Sequence, residues 1–365
     1  MPPAGRMVVA VIGPGRIDQG DWSAAADSAV VVILDGLSVA GVPERGGVVP
    51  AVLACDALAV VLPATVGLDP LTAGVWQVAA AAGLPRAVVI TDLDSATADF
   101  EDLAAIAERV LGAECLPVAL PVFDDDGSVC GALDLVAGVM ADRDGSVPVE
   151  RAHLRFSAGP RLRLVSALAA VVADEAVAGR ALAVVAAADP DDPEGDAVVW
   201  GDPVWSLAEP LAEAVAEGTM APVLPETPVP AGPLATSATV QRRILGWFAQ
   251  SALDATWPVQ RALVRRDVHG EPCDGPAAVV LAAQGERAVV RPLHGERIVT
   301  EGLLTLTRTG SATADPTGPL VSYRAWPVGV VEHEDLGGYA MVTLTMRPAV
   351  GDVLTDRPLW LVPEE

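Results

Sequence analysis

The chain has 365 residues, 52% of them apolar, and a formal net charge of -25 at pH 7; its 23 basic residues are all arginine, and asparagine is absent too. Such a charge opposes approach to a phosphate backbone, so nucleic acid is excluded as the default partner. The missing lysine and asparagine exclude any phosphate or base site built on those two side chains.

The opening MPPAGRMVVAVIGPG is too short and too broken by Gly and Pro to span a membrane or serve as a secretory signal. It reads as a first buried strand, Val8 to Ile12, running into Gly13-Pro14-Gly15 as a parallel strand feeds a loop and then a helix. A second apolar run, Val30 to Leu34, ends at Asp35, and Ala57 to Leu62 and Ala87 to Ile90 are two more. Leu71 to Ala82 predicts a helix closed by Gly83-Leu84-Pro85, and Asp99 to Leu111 predicts another. Strands alternating with helices imply an open α/β sheet with ligands at the strands' carboxyl ends.

From Cys115 to about Glu217 the pattern changes to short strands, an Ala-rich helix near Leu164 to Ala178 and an acidic turn over 189–196, and the segment looks inserted. Gln241 to Leu253 predicts an amphipathic helix ending before a domain boundary at Trp257-Pro258. Beyond it, short strands with turns at Gly270-Glu271-Pro272, Gly302, Gly310 and Gly337-Gly338 predict a small all-β barrel. Residues 261–365 hold 10 arginines against 14 acids, which makes this the least acidic part of the chain. Cys55, Cys115, Cys130 and Cys273 lack C-x-x-C spacing and the histidines lack an H-E-x-x-H pattern, so free thiols in a reducing cytoplasm are expected. Asp124-Asp125-Asp126 and the acidic turn lack the alternating ligands of a calcium loop and read as solvated loops.

Val75-Trp76-Gln77, Gly83-Leu84-Pro85-Arg86, Thr91-Asp92-Leu93-Asp94, Ala98-Asp99-Phe100, Leu111-Gly112-Ala113 and Pro117-Val118-Ala119-Leu120-Pro121, in that order, resemble the GTPase domain of bacterial elongation factor G. Glu217-Gly218-Thr219 with Pro222-Val223-Leu224 resembles the approach to the family's last guanine motif, and Thr236-Ser237-Ala238-Thr239 that motif itself. Val289 to Leu306 and Glu334 to Asp352 resemble its β-barrel second domain. The resemblance therefore implies a P-loop-NTPase-like three-layer α/β GTPase-type domain over residues 1–258, with an inserted subdomain at about 115–220, followed by a translation-factor-type β-barrel over 259–365. It covers the family's first two domains only, so the later domains' work of moving transfer RNA is not expected.

The family's phosphate loop reads Gly-His-[Ile/Val]-Asp-Ala-Gly-Lys-Thr. Gly15, Ile17, Asp18 and Gly20 match it, but Asp21 stands where the phosphate lysine belongs and Trp22 where the magnesium hydroxyl belongs. A unit charge pair about 4 Å apart is worth ~4 kcal/mol at an effective dielectric of about 20. Replacing lysine by aspartate therefore turns attraction into repulsion and implies a loss of triphosphate affinity by orders of magnitude. Asp35 survives as a magnesium-side acid, whereas Ser38 and Val39 replace the γ-phosphate-sensing glycine and the water-orienting histidine. Only 13 residues separate Asp21 from Asp35, so the segment that folds over the nucleotide is absent. In the base-reading motif Asp94 remains without its asparagine and lysine, and Ser237-Ala238 remain without the lysine beyond them.

Each of these residues has a plainer account. The loop at Gly15 to Trp22 also reads as a strand-to-helix turn in which the fold needs glycine, and Asp94 as a capping or turn acid. Arg265-Arg266 reads as a solvated strand edge rather than a phosphate clamp. The expectation is a degenerate elongation factor G homologue, a pseudo-GTPase without catalytic residues, cofactor or metal. It would be cytoplasmic and act by binding a protein of the translation apparatus through its barrel, with weak or no direct contact to nucleic acid and none to membrane. The alternative is an atypical GTPase using GTP and magnesium, with Arg16, the loop's one basic residue, in place of lysine.

Overall fold

The apolar runs of the first 120 residues become neighbours in one sheet in the computed structural model. The structure describes residues 7–14, 17–18, 22, 29–34, 48–95, 99–125, 127–142, 145–148, 151–172, 178–179, 183, 207–226, 237–253, 263–266, 273–293, 303–311, 320–336, 339–357 and 360–363. Met7–Ile12 (β1), Ala29–Leu34 (β2), Ala57–Pro63 (β3), Arg86–Thr91 (β4), Cys115–Pro117 (β5) and Ala221–Pro225 (β10) pair in parallel in the order β2-β1-β3-β4-β10-β5. Continuous apolar strands suit such a sheet because both faces are covered. Val8, Ala10 and Ile12 enter one buried layer with residues of the helices Val48–Leu53 (α1), Pro70–Ala81 (α2) and Phe100–Val110 (α3). Val9 and Val11 enter the opposite layer with residues of Arg151–Val171 (α4), Ala208–Ala216 (α5) and Ser237–Leu253 (α6). The result is a three-layer α/β unit.

Capping sets the helix starts. Asp69 accepts from the N–H groups of Leu71 and Thr72 at 2.8 and 3.1 Å, and Pro70 occupies the first helical position. Asp99 caps α3 through the N–H of Asp102 at 2.8 Å. The helix expected near Leu164 to Ala178 starts earlier, at Arg151, and runs through Pro160. Proline inside a helix costs about 3 kcal/mol. Burial of Ala158, Leu164, Val165 and Leu168 along the same helix outweighs that cost.

Between β5 and α4 the chain forms an antiparallel meander, Ala119–Phe123 (β6), Val129–Asp134 (β7), Val139–Asp142 (β8) and Gly145–Pro148 (β9). The last part closes a six-stranded barrel from Ala277–Gln284 (β12), Arg287–Pro292 (β13), Leu303–Ser311 (β14), Leu320–Asp335 (β15), Ala340–Leu344 (β16) and Val353–Thr355 (β17). Leu263–Arg266 (β11), which carries Arg265-Arg266, pairs with Trp360–Pro363 (β18). Gly310, expected in a turn, lies inside β14 at a shift in its register with β15. The turns at 270–272, 302 and 337–338, the acidic turn and the boundary at 257–258 lie outside the described residues.

The barrel is fastened to the α/β unit. On β12, Ala278 and Val280 face the barrel core while Ala277, Val279 and Leu281 join the buried layer of the sheet. Arg291 on β13 donates to the Ala54 carbonyl at 2.8 Å, and its Nη2 forms an ion pair with Asp56 Oδ1 at 2.6 Å. Asp56 Oδ2 accepts the Val8 N–H at 2.7 Å, so the clamp reaches β1.

Candidate functional site

In an open parallel sheet a ligand site forms at the strands' carboxyl ends, where the strand order reverses. Here the chain leaves β1 for β2 on one side and returns past it to β3, so the switch lies at the ends of β1 and β3. The loop after β1 begins there with Gly13, where a Cβ would clash with the Val61 carbonyl of β3. Beside it the Ala64 N–H bonds the Thr91 carbonyl at 2.8 Å, and the Glu226 N–H bonds the Ile90 carbonyl at 2.7 Å, tying together the ends of β3, β4 and β10.

Three residues of the phosphate-loop-like segment are described. Ile17 is buried, Asp18 is exposed, and Trp22 is 1% exposed within the same buried cluster as Val9, Val11, Ile17 and Val61. The indole is thus core, on the face of the sheet covered by α4, α5 and α6. Gly15, Gly20, Asp21 and Asp35 lie outside the described residues, as do Arg16, Ser38 and Val39.

After β4 the chain turns sharply, with Asp92 in the left-handed region (φ 59°), Leu93 buried and Asp94 in a short 3-10 turn. Asp94 Oδ1 accepts the Val129 N–H at 2.7 Å, so this carboxylate holds β7 of the inserted meander to the end of β4. Ser237 and Ala238 are the first residues of α6, where the opening backbone N–H groups of a helix have no partner within it. Two polar links orient that helix: Gln241 donates to Glu226 at 3.3 Å, and Arg243 contacts both oxygens of Asp134 at 3.1 and 3.4 Å while lying over the Trp247 ring. Asp134 also accepts the N–H groups of Val136 and Ala137 at 2.7 and 3.1 Å. Asp94 and the start of α6 therefore follow neighbouring strands of one sheet, β4 and β10.

Several residues that carry the family resemblance are structural at the opposite edge. Arg86 is 3% exposed, donates to the carbonyls of Leu84 and Gly218 at 3.1 and 2.9 Å, pairs with Glu114 at 3.0 Å and lies over the buried Trp76 ring. Gln77 donates to the carbonyls of Val110 and Leu111, closing the end of α3. Sequence reasoning missed these roles and those of Asp134, Arg243, Asp56 and Arg291. The one available signal was that each arginine of a lysine-free chain needs an acid or carbonyl if it is to be buried.

Burial perturbs the ionisation of Asp56, Cys55, Cys115 and Arg161. Burial raises the Asp56 carboxyl against the opposing pull of Arg291, pushes the neighbouring Cys55 thiol up to about 12, and raises Cys115 further. Burial lowers Arg161 to about 10, with Asp134 working the other way. Among the described residues no three His, Cys, Asp or Glu side chains are grouped to hold a metal ion, and no helix is long and apolar enough to cross a membrane.

No family model matches the chain. It is 39% identical over 71 residues to an elongation factor G-like protein of Mycobacterium tuberculosis, covering 20% of this chain and 10% of that one. A longer stretch, 177 residues at 29% identity, matches elongation factor G 2 of Geobacter metallireducens over 46% of this chain and 22% of the relative. A crystal structure from Thermus thermophilus superposes on 99% of this chain and 55% of its own, with TM-score 0.51 and 20% identity. The chain thus spans about half of the solved structure, and the matched stretches take in no more than 22% of these relatives. The similarity is to elongation factor G proteins in short stretches, and the shared fold extends over nearly the whole chain.

Proposed function

We propose that this chain is a noncatalytic binding module on an elongation-factor-G-like scaffold, a pseudo-GTPase that acts in protein biosynthesis. The observation that carries the reading is Trp22: where the resembling loop has a magnesium-binding hydroxyl, this chain has an indole 1% exposed in the core. Asp21 beside it places a negative charge where the family has lysine. Asp94 supports the same reading, because one oxygen of the acid that would read a guanine edge is used by the Val129 N–H.

Function on such a scaffold lies on surfaces, and the barrel, in the least acidic part of the chain, is the surface proposed for a protein partner in translation. The test is GTP hydrolysis by the purified chain with magnesium, with and without ribosomes. The expected result is no turnover above buffer, since neither a phosphate lysine nor a water-orienting histidine occurs at its position. Magnesium-dependent turnover abolished by Arg16→Ala would overturn the proposal in favour of an atypical GTPase.

A further inference from the structure

A sheet edge offers unpaired N–H and C=O groups to any passing strand, and folded proteins blunt such edges with proline, charge, shortness or closure. The barrel has no edge, being closed. Of the other described edge strands, β5 has three residues and ends in Pro117, β6 contains Pro121, β9 ends in Pro148, β11 carries Arg265-Arg266 and β18 ends in Pro363. The other edge of the main sheet, β2, is different. Its six residues Ala29–Leu34 read AVVVIL, with no proline and no charge, and four of them are β-branched.

Along its inner side β2 pairs with β1 over all six residues. Among the described residues it makes no second ladder, and β12 of the barrel packs against it while its own ladders run to β13 and β17. Val30, Val31 and Ile33 are only half-buried, whereas the matching β1 residues are fully buried. This is a strand of central-sheet composition in an edge position.

We propose that the outer edge of β2 binds an extended segment of a partner protein by strand addition, with an apolar, β-branched middle flanked by basic residues. Main-chain bonds supply affinity in this mode and alternate side chains supply selectivity. The basic flanks follow from charge: Asp27 precedes the strand, Asp35 follows it, and the chain as a whole carries -25. The same charges argue against a second copy. Pairing of β2 with itself would bring together two chains that each carry a net charge of -25. The proposal does not depend on the state of the nucleotide loop.

The probe is a fluorescein-labelled peptide, Lys-Arg followed by six alternating Val and Thr residues and then Arg-Lys, titrated with the full chain by fluorescence anisotropy. Saturable binding is expected, with slowed amide exchange across 29–34. A peptide of the same ends with proline at the two central positions should bind at least tenfold more weakly, as should one with glutamate flanks. Val31→Lys, checked for an unchanged melting temperature, should give the same loss. Should that variant fail to fold, the proline and glutamate peptides on the unaltered chain carry the test alone. Equal binding of the proline peptide, no binding of the first peptide, or exchange protection outside β2 would overturn the proposal. So would a dimer in sedimentation velocity that Val31→Lys dissociates, since a second copy would then occupy the edge.

Discussion

Removing the Trp22 indole would empty one of the largest fully buried side-chain volumes in the molecule. Trp22→Ala is expected to cost about 3–5 kcal/mol, read as a lower denaturant midpoint at nearly constant slope. A loss below about 1 kcal/mol would place the ring at the surface. For this reason a rebuilt loop should begin with Asp21→Lys alone, because Trp22→Thr would confound any gained phosphate affinity with lost core. Asp56 and Arg291 make a second residue-scale case. Arg291→Ala strands a buried carboxylate and should cost about 3–5 kcal/mol, and replacing both partners by apolar residues should still destabilise, because the Val8 N–H and the Ala54 carbonyl then lose their partners. Burial holds the Asp56 pKa above its ordinary 3.8, so the folded state binds that proton more tightly than the unfolded state. Its contribution to stability is therefore greatest below 3.8 and falls as pH rises through the folded value. Chemical denaturation of the unaltered chain and Asp56→Asn across acidic pH should show that slope only when the carboxyl is present.

At the scale of elements, Arg86 joins β4 to β5 through Glu114 and to the turn before β10 through the Gly218 carbonyl. Gly218 has φ +71°, and an added Cβ would lie 2.8 Å from the Gly83 carbonyl oxygen. Gly218→Ala is thus expected to destabilise by roughly 1–3 kcal/mol, and Arg86→Lys by a similar ~1.5–3 kcal/mol because lysine cannot reproduce the guanidinium fork. Thermal unfolding of both checks this; unchanged midpoints would mean the motif serves something other than packing. The alternation of strand and helix was legible because continuous apolar runs and capped helical stretches are local patterns. Helix α1, six residues with Pro50 and no acidic first turn, carries no such local signal, and the first half of α4 was hidden by Gly159 and Pro160. The candidate site was legible as residue types only. Asp94 meets a backbone group 35 residues away, Asp134 an arginine 109 away, and Arg291 a carbonyl 237 away, and those pairings come from topology rather than from local sequence.

For the whole molecule the decisive quantities are charge and the sheet edge at the ends of β1 and β3. A chain of -25 reaches a ribosome most easily through its least acidic part, so any association should be weak and should fall steeply with salt in co-sedimentation. Binding that persists at high salt would indicate a specific interface outside this account. The pseudo-GTPase reading itself is tested most directly by calorimetric titration of the full chain with GTP and magnesium at millimolar concentration. The account predicts no saturable heat and no rise in melting temperature, because a ligand stabilises only in proportion to its occupancy. A magnesium-dependent isotherm with a micromolar Kd would contradict it.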